Sequence, residues 1–347
     1  MAHVVLMPAR LRLLGALVTA VVAAAAIVTV LTGGSPDTPA PARSALTSAI
    51  VGPPIRLGGD PIAVAVGAGA IWVIDASRQT LVKVDPKARI VVGEPRRVGG
   101  GPFAVAVGEG AVWVASGDGA VRAYDPRTVR PTGRTARVPG ANGLAVGAGG
   151  VWISSRRAGT VTRIDPRARR ASAPIRVGAG PADIAVGLGA IWVANADGGS
   201  VSRIDPLDGR AGRPTAVGAP QVLALTVGEG GVWVVRAGGP NADRLQLVRI
   251  DPVAGKVVGD PIAVPGAVPL DLVAGNGVWV TNSGGAIPTG PGSKGGVTRV
   301  DPSARAAAAS ALRTGRRPSA IALGQGGVWV TNEGSGTLTP ITFVKRR

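Results

Sequence analysis

The segment PADIAVGLGAIWVANADGGSVSRIDPLDGRAGRPTAVG, residues 181–218, decides the fold. It contains four short runs of apolar or alternating character, at 181–187, 190–195, 200–204 and 214–217. Gly, Asp, Asn and Pro separate these runs, and such residues are typical of tight turns. The 3.6-residue period of an amphipathic helix does not occur in the segment. The pattern therefore predicts four β-strands joined by short turns.

The same phrase recurs along the chain, and a tryptophan marks each copy. Successive tryptophans are 39 to 50 residues apart, and each stands between Val or Ile residues. The seven positions are Trp72, Trp113, Trp152, Trp192, Trp233, Trp279 and Trp329. A period near 40 residues is typical of solenoids and propellers, and four strands per repeat favour a propeller. We therefore predict an all-β, seven-bladed β-propeller of four-stranded antiparallel blades.

The two ends of the repeat array predict how the ring closes. The last repeat stops without a fourth strand. The phrase PIRLG at 54–58 precedes the first repeat and matches the fourth-strand phrase PIRVG at 174–178. We therefore expect residues 53–58 to form an N-terminal strand that pairs with the last blade and removes two open sheet edges. The predicted propeller spans residues 53–344.

Two recurring features have structural interpretations. One large side chain on the second strand fills the space between neighbouring blades, so we interpret the seven tryptophans as core residues rather than a ligand-stacking surface. An Asp-Pro pair follows the third strand in six repeats and favours a type I turn. These turn-forming carboxylates are Asp85, Asp125, Asp165, Asp205, Asp251 and Asp301.

The N-terminus has the pattern of a membrane segment. Residues 13–31 carry no charge, and as a helix they would span about 28 Å, close to the hydrocarbon thickness of a bilayer. Arg10 and Arg12 precede the run, so the positive-inside rule predicts a cytoplasmic tail, 1–12, and a propeller outside the cytoplasm. Residues 32–52, rich in Pro and Ala, then form a spacer. The alternative is a cleaved signal segment, which would give a secreted protein.

Composition excludes several classes of chemistry. The chain of 347 residues has no Cys and a single His, His3, within the predicted cytoplasmic tail. Disulfides, thiolate metal sites and histidine catalysis in the propeller are therefore excluded. The formal net charge is +18. Outside a membrane, such charge either decorates a solvated surface or attracts anionic wall polymers and lipid head groups. We expect no nucleic-acid partner, because the basic residues are not interleaved with aromatic ones.

Two sets of phrases carry a resemblance to known families. WVTN at 279–282 and 329–332 resembles the YVTN family of β-propeller repeats, with Trp in place of Tyr. SRIDP at 202–206 and GAGP at 178–181 are similar to repeats of the virginiamycin B (streptogramin) lyases. The resemblance implies a propeller. It does not carry lyase activity over, because those enzymes use catalytic histidines with a glutamate and Mg²⁺, and the propeller has no histidine.

Candidate site residues lie where inner strands begin and tryptophan strands end. Because strands alternate in direction, both positions fall on one face and form a polar ring around the channel mouth. The candidate ligand-binding residues are Asp75, Asp183, Asn195, Arg236, Asp271, Asn282, Asn332 and Glu333. Two interpretations stay open, because Asn, Asp and Ser also favour strand ends for purely structural reasons. Longer loops at 236–246 and 283–296 indicate that this face is the binding face.

The sequence therefore predicts a membrane-anchored, extracytoplasmic propeller that acts as a non-catalytic module without a cofactor. Its partner would be a small molecule or an envelope protein. The alternative is a lyase-like or metal-dependent lactonase or hydrolase, as in gluconolactonase-like propellers, with Ca²⁺ or Mg²⁺ at the channel mouth. That enzyme would use Asp183, Asp271, Asn282, Asn332 and Glu333. A third hypothesis is a scaffold in a wall or secretion complex.

Overall fold

The strands of this protein form seven antiparallel sheets in the computed structural model. The structure describes residues 48–219, 221–238, 244–265, 269–282, 294–308 and 311–344. The predicted tail, the predicted membrane segment and residues 32–47 of the predicted spacer lie outside this part. Within it, no helix has the length and apolar character needed to cross a membrane.

Each sheet is one blade, and its first strand is the innermost one. The inner strands of blades 1 to 7 are Pro61–Gly67, Pro102–Gly108, Ala141–Gly147, Pro181–Gly187, Gln221–Gly228, Pro269–Ala274 and Pro318–Gly324. The second strands, which carry the tryptophans, are Ala70–Asp75, Ala111–Ser116, Gly150–Ser155, Ala190–Asn195, Gly231–Gly238, Val278–Asn282 and Gly327–Asn332. A short 3-10 helix, Glu333–Ser335, follows the last of these.

The third and fourth strands complete each blade. The third strands are Thr80–Asp85, Ala120–Tyr124, Thr160–Ile164, Ser200–Ile204, Arg244–Asp251, Lys294–Asp301 and Thr337–Val344. Single fourth strands in blades 2 to 5 are Pro131–Arg137, Ile175–Arg176, Thr215–Ala216 and Lys256–Val264. Paired short segments fill this position in blades 1, 6 and 7: Ile90–Val91 with Arg96–Arg97, Ala306–Ala307 with Leu312–Arg316, and Ser48–Val51 with Ile55–Arg56.

Strand register defines two opposite faces of the ring. In blade 4, Gly187 pairs with Ala190 across a two-residue turn, and Pro181 pairs with Asn195 at the other end. We call the first end the hairpin face, because it carries these turns and the Asp-Pro turns after the third strands. We call the second end the loop face, because it carries the loops after the tryptophan strands and the connections between blades.

Ring closure follows the sequence prediction and extends beyond it. Ile55 pairs with Leu338 and Arg56 with Thr337. Ser48–Val51 also pairs with the last third strand, from Ser48 opposite Val344 to Val51 opposite Ile341. This segment lies inside the range 32–52 assigned to the spacer. It pairs because the eight-residue strand Thr337–Val344 presents a longer edge than two residues can cover.

The tryptophans are packing residues, and basic side chains cover most of them. Each indole is at most 3% exposed. In blade 1 the Trp72 Nε1 donates to the Gly67 carbonyl at 3.1 Å, and the other six indoles bond equivalent glycines. Basic groups stack 5.3 to 5.9 Å from five of the ring centroids. These are Lys83, Arg163, Arg203, Arg249 and Arg299, so part of the positive charge of the chain also covers the core.

The Asp-Pro turns share one hydrogen-bond pattern. In the first, Asp85 Oδ1 accepts the backbone N–H groups of Lys87 at 2.7 Å and Ala88 at 2.9 Å. The Arg89 N–H closes the turn on the Asp85 carbonyl at 2.9 Å. Hydrogen bonds from turn residues lower the pKa of the carboxylates at Asp85, Asp125, Asp165, Asp251 and Asp301. These aspartates therefore act as the turn formers that the sequence predicted.

The residue that closes each Asp-Pro turn has a left-handed backbone, and Gly255 has a φ of 62°. Replacement Gly255→Val is expected to lower the free energy of unfolding by about 1–2 kcal/mol, because a β-branched residue is strained there. The matched variant Gly255→Asn should lose less than half as much, since Asn tolerates this conformation. Urea unfolding measures both variants. Equal losses would show that φ does not limit this position.

Candidate functional site

Asp75, the candidate of blade 1, is the last residue of its tryptophan strand and is 2% exposed. Its Oδ1 accepts the backbone N–H groups of Asp60 at 3.2 Å and Arg78 at 3.1 Å. The Ser77 hydroxyl donates to the same oxygen at 2.9 Å. This carboxylate therefore joins the start of the inner strand to the loop after the second strand.

Asn195, Asn282 and Asn332 occupy the equivalent position in blades 4, 6 and 7 and are at most 4% exposed. Their amide Nδ2 groups donate to hydroxyls on the third strand. Asn195 bonds Ser200 at 3.1 Å and Ser202 at 3.0 Å. Asn282 bonds Thr298 at 3.0 Å, and Asn332 bonds Thr339 at 2.9 Å. In this geometry the amides hold adjacent strand ends together.

Two amide oxygens remain unused at these strand ends. The Oδ1 atoms of Asn195 and Asn332 are buried and have no hydrogen-bond partner among the described residues. An unpaired buried carbonyl oxygen costs free energy, and a small polar donor such as water relieves that cost. These atoms are therefore the candidate amide acceptors at this face.

Arg236, the candidate of blade 5, lies half-buried at the same position. Its guanidinium donates to Gln246 Oε1 from Nε at 3.2 Å and from one terminal nitrogen at 2.9 Å. It also donates to the Val217 carbonyl. Burial lowers its pKa. Most of the two long loops predicted for this face, residues 239–243 and 283–293, lies outside the described residues.

Asp183 and Asp271 sit deeper, on the inner strands of blades 4 and 6, and each is 3% exposed. Asp183 accepts the N–H of Ile184 and that of Leu225 in blade 5, both at 2.8 Å. Asp271 accepts the N–H of Leu272 at 2.8 Å and that of Ile321 in blade 7 at 3.0 Å. Each carboxylate therefore bonds two adjacent blades. We call Asp183 and Asp271 the inter-blade carboxylates.

Burial raises the pKa of Asp183 to about 6. Burial also raises the pKa of Asp271 well above its ordinary value, and the charge of Asp183 raises it further. Hydrogen bonds from the backbone oppose the shift in both cases without cancelling it. The charge of one inter-blade carboxylate thus acts on the other, and burial favours the protonated form of both.

Glu333 lies in the 3-10 helix of blade 7. The Arg317 guanidinium donates to Glu333 Oε1 at 2.9 Å. Burial and the nearby charge of Asp60 raise the pKa of Glu333, and Arg317 opposes that rise. Asp60 and Glu333 are therefore neighbours at the junction of blades 7 and 1. The structure does not gather the eight candidates into one cluster.

Metal coordination finds little support in this part of the chain. In the residues that the structure describes, no group of three His, Cys, Asp or Glu side chains is placed to hold an ion. Asp183 and Asp271 offer oxygens, but backbone N–H groups already use them. In this part of the chain these two carboxylates therefore have a structural role, because they hold the backbone of adjacent blades.

Ion pairs concentrate on the loop face. Among the described residues, four of the five ion pairs lie on this face. Blades 1, 2 and 7 each contain one of them, and the fourth joins blades 3 and 4. They are Arg78–Asp75 at 3.5 Å, Arg122–Asp118 at 3.3 Å, Arg156–Asp197 at 2.5 Å and Arg317–Glu333 at 2.9 Å. Arg156 and Asp197 were not foreseen from the sequence, because they become partners only once blades 3 and 4 are assembled. Asp118 lies only four residues from Arg122 and was not among the sequence candidates.

No protein-family model and no curated protein matches this chain. Solved structures do match. A streptogramin B lyase superposes with a TM-score of 0.69 at 16% identity, over 85% of this chain and 98% of that one. A virginiamycin B lyase from Staphylococcus aureus gives 0.70 at 14% identity, over 86% and 100%. The hydrazine synthase of Kuenenia stuttgartiensis gives 0.55 at 14% identity, over 71% and 96%.

These neighbours show the fold of the chain alone. Proteins named as lyases and as a hydrazine synthase share this architecture, so a similar fold does not identify the activity of the chain. The virginiamycin B lyase-like propeller implied by the repeat phrases is thus supported at the level of fold. The YVTN repeat assignment has no matching family model.

Proposed function

We propose that this protein is a membrane-anchored, extracytoplasmic propeller that binds a polar ligand or partner on its loop face without catalysis. The observation that carries the proposal is the set of four Arg–carboxylate pairs on that face, in blades 1, 2 and 7 and between blades 3 and 4. Exposed charge pairs add little to folding stability. They do offer a ligand alternating donors and acceptors, which is the chemistry that recognises sugars and polar peptides.

The metal-dependent hydrolase is the competing function. It needs several carboxylate oxygens gathered around one ion, whereas Asp183 and Asp271 each bond the backbone N–H groups of two blades, and no group of three acidic side chains gathers among the described residues. Asn282 and Asn332 direct their amide nitrogens to threonine hydroxyls. Calorimetric titration with Ca²⁺ and Mg²⁺, combined with a lactone hydrolysis assay, separates the two functions.

Binding to an array of envelope oligosaccharides and peptides tests the proposal. The full chain in detergent is compared with a loop-face double variant, Arg156→Glu with Arg317→Glu. A matched hairpin-face variant, Arg127→Glu with Arg167→Glu, changes the charge equally. We expect the loop-face variant to lose affinity by about tenfold, since charge reversal at a contact is worth roughly 1.4 kcal/mol.

Two results of that comparison would contradict the proposal. One is an array ligand whose affinity is equal for the wild type and for the loop-face variant, because the ligand then binds elsewhere. The other is metal-dependent turnover of a lactone by the wild-type chain. Equal loss in both double variants would indicate general charge attraction rather than a loop-face site.

A further inference from the structure

Exposed apolar side chains lie on one side of the ring. The large apolar residues with substantial exposure in the described part of the chain are Ile50, Ile90, Val92, Leu188, Leu207, Val253, Val257 and Val344. All eight belong to the hairpin-face half of their blades, at the turns or at the strand ends beside them. Four of the five ion pairs in the described residues lie on the loop face, and the fifth, Arg210–Asp208, lies on the hairpin face. The two faces therefore suit different environments.

Two of these residues protrude almost completely. Leu207 is 93% exposed and Val253 is 96% exposed. They stand at the same position of the Asp-Pro turns in blades 4 and 5. The Leu207 N–H donates to Asp205 Oδ1 and the Val253 N–H donates to Asp251 Oδ1, both at 2.8 Å. These bonds fix the backbone of the turns that carry the two side chains. An apolar tip on a rigid turn suits shallow insertion into a lipid surface.

Basic residues take the same turn position in blades 1 to 3. They are Lys87, Arg127 and Arg167, and all three are exposed. The turn tips around the face therefore combine two apolar side chains with three cations, and blade 6 contributes Ser303. Cations next to apolar tips are the pairing that anionic lipid head groups attract.

A cleft opens between the turns of blades 4 and 5. Its volume is about 410 Å³, and its lining includes Trp192, Arg203, Arg210 and Arg213. In blade 3, Arg169 closes the Asp-Pro turn and covers Trp113 of blade 2, at 4.2 Å from the ring centroid. Gly255 takes the equivalent position in blade 5 and has no side chain, so the space beside Trp192 of blade 4 stays open. Asp205 also lines the cleft, Arg203 covers Trp192, and Arg210 lies 3.8 Å from Asp208 in an exposed pair. The arginines still outnumber the carboxylates between the two apolar tips, and guanidinium groups suit phosphate.

The acidic groups of this face are already engaged by backbone. Glu109 accepts the Gly149 N–H at 3.0 Å, and Glu229 accepts the Gly277 N–H at 3.2 Å. The Asp-Pro carboxylates hold their own turns. Such bonds favour the charged form of a carboxylate, so these groups stay anionic and tied to their own turns, beside the exposed cations Lys87, Arg127 and Arg167.

The chain enters the propeller at the same face. Ser48 pairs with Val344 at the hairpin-face end of blade 7. The uncharged run 13–31 precedes Ser48 by 16 residues, 32–47, which reach at most about 55 Å when extended. The sequence after Val344 is Lys345, Arg346 and Arg347. A chain tethered through residues 13–31 therefore leaves the membrane toward this face.

We propose that the hairpin face docks on an anionic lipid bilayer, with Leu207 and Val253 inserted among the head groups and the turn cations on lipid phosphates. The inference rests on the membrane anchoring of the proposed function. It adds an orientation, because a docked hairpin face directs the loop face and its charge pairs away from the membrane. The ligand-binding face is thereby held open to the outside.

Site-specific fluorescence tests the docking, because the chain has no native cysteine. Leu207→Cys and Val253→Cys carry an environment-sensitive dye, and Arg176→Cys on the loop face is the control. Each full chain is reconstituted at low density in phosphatidylcholine vesicles, with or without about one-third phosphatidylglycerol. In the anionic vesicles we expect blue-shifted emission and quenching by lipid-attached quenchers at 207 and 253, and neither effect at 176.

A second variant separates insertion from proximity. This variant carries a dye at Ser303→Cys, which measures how close the hairpin face is to lipid, together with Leu207→Asp and Val253→Asp, which remove the apolar tips. Because Leu207 and Val253 are exposed, we expect the variant to fold. We expect quenching at 303 to fall by at least about twofold. Unchanged quenching would overturn insertion by these tips.

The remaining outcomes distinguish this proposal from the proposed function. A chain that does not float with the vesicles contradicts membrane anchoring itself. A chain that floats but gives the same fluorescence at 207 and 176 overturns docking alone. Dye shielding that needs no anionic lipid and rises with protein concentration would assign the face to a second copy of the chain and overturn the lipid proposal.

Discussion

A chain that begins at residue 59 is expected to lose cooperative folding, whereas a chain that begins at residue 48 is expected to keep it. The longer chain retains Ser48–Val51 and Ile55–Arg56, which pair with the last third strand. Without them the eight-residue edge Thr337–Val344 is open, and the side chain of Ile55 no longer covers it. Lost apolar burial and ladder hydrogen bonds together cost at least about 4 kcal/mol.

Urea unfolding monitored by tryptophan fluorescence measures this difference, and sedimentation reports association through the open edge. Ile55→Ala in the chain from residue 48 is the graded control. It keeps the backbone pairing and should cost about 2–4 kcal/mol. Equal midpoints for the chains starting at 48 and 59 would show that the ring closes without the N-terminal strand.

Stability is expected to fall as the pH rises from about 4 to about 7, because of the inter-blade carboxylates. Burial raises the folded-state pKa of Asp183 to about 6, whereas the unfolded chain releases the proton near its ordinary pKa. The contribution of Asp183 to folding stability is therefore largest below the pKa of the unfolded chain. It is lost as the pH rises through the pKa of Asp183 in the folded protein. Asp183 accounts for about 3 kcal/mol of this loss.

Asp183→Ala separates the proton effect from the hydrogen bonds. Alanine is the native residue at the equivalent position of blades 1, 2, 5 and 7: Ala63, Ala104, Ala224 and Ala320. The variant leaves two N–H groups without the carboxylate, at about 1–3 kcal/mol each. It also removes one titration, so its deficit relative to the wild type should be largest near pH 4–5 and shrink toward pH 8.

The turn aspartates provide the opposite control. Hydrogen bonds lower the pKa of Asp165, so its contribution is present above its ordinary pKa and is lost as the pH falls through the lowered one. Asp165→Ala should therefore change the pH dependence of folding stability only below the ordinary pKa of an aspartate. The inter-blade assignment would be wrong if Asp183→Ala kept the wild-type slope between pH 4 and 6.

Sequence periodicity was sufficient to predict the architecture. The tryptophan repeat predicted seven blades, the Asp-Pro pairs predicted their turns, and the PIRLG phrase predicted closure of the ring. These features are local or strictly periodic, and a repeated supersecondary unit can close its core only against its neighbours. The extra strand Ser48–Val51 was not foreseen, because its pairing partner is almost 300 residues away and its composition resembles the preceding spacer.

The candidate site was less accessible to such reasoning. The sequence grouped Asp183 with Asp75 and the strand-end asparagines because all are polar and lie near one face. In the structure Asp183 and Asp271 bond adjacent blades, and the asparagines hold strand ends. Arg163, Arg203 and Arg249, each two residues before an Asp-Pro turn, cover indoles, whereas the sequence showed them only as part of the net positive charge. Partners across a blade interface lie about one repeat apart, 42 residues for Asp183 and Leu225 and 41 for Arg156 and Asp197. The linear pattern gives this spacing, but the register of the assembled blades decides which side chains meet.

Blade number, turn chemistry and ring closure thus follow from the residues alone, because hydrophobic period and turn propensity act over a few neighbours and repeat. The difference between the two faces does not. The apolar tips Leu207 and Val253 belong to separate repeats, and so do Arg156 and Asp197, which form one charge pair. They come onto common surfaces only when the strands alternate and the ring closes, since surface chemistry is set by which distant residues the fold makes neighbours.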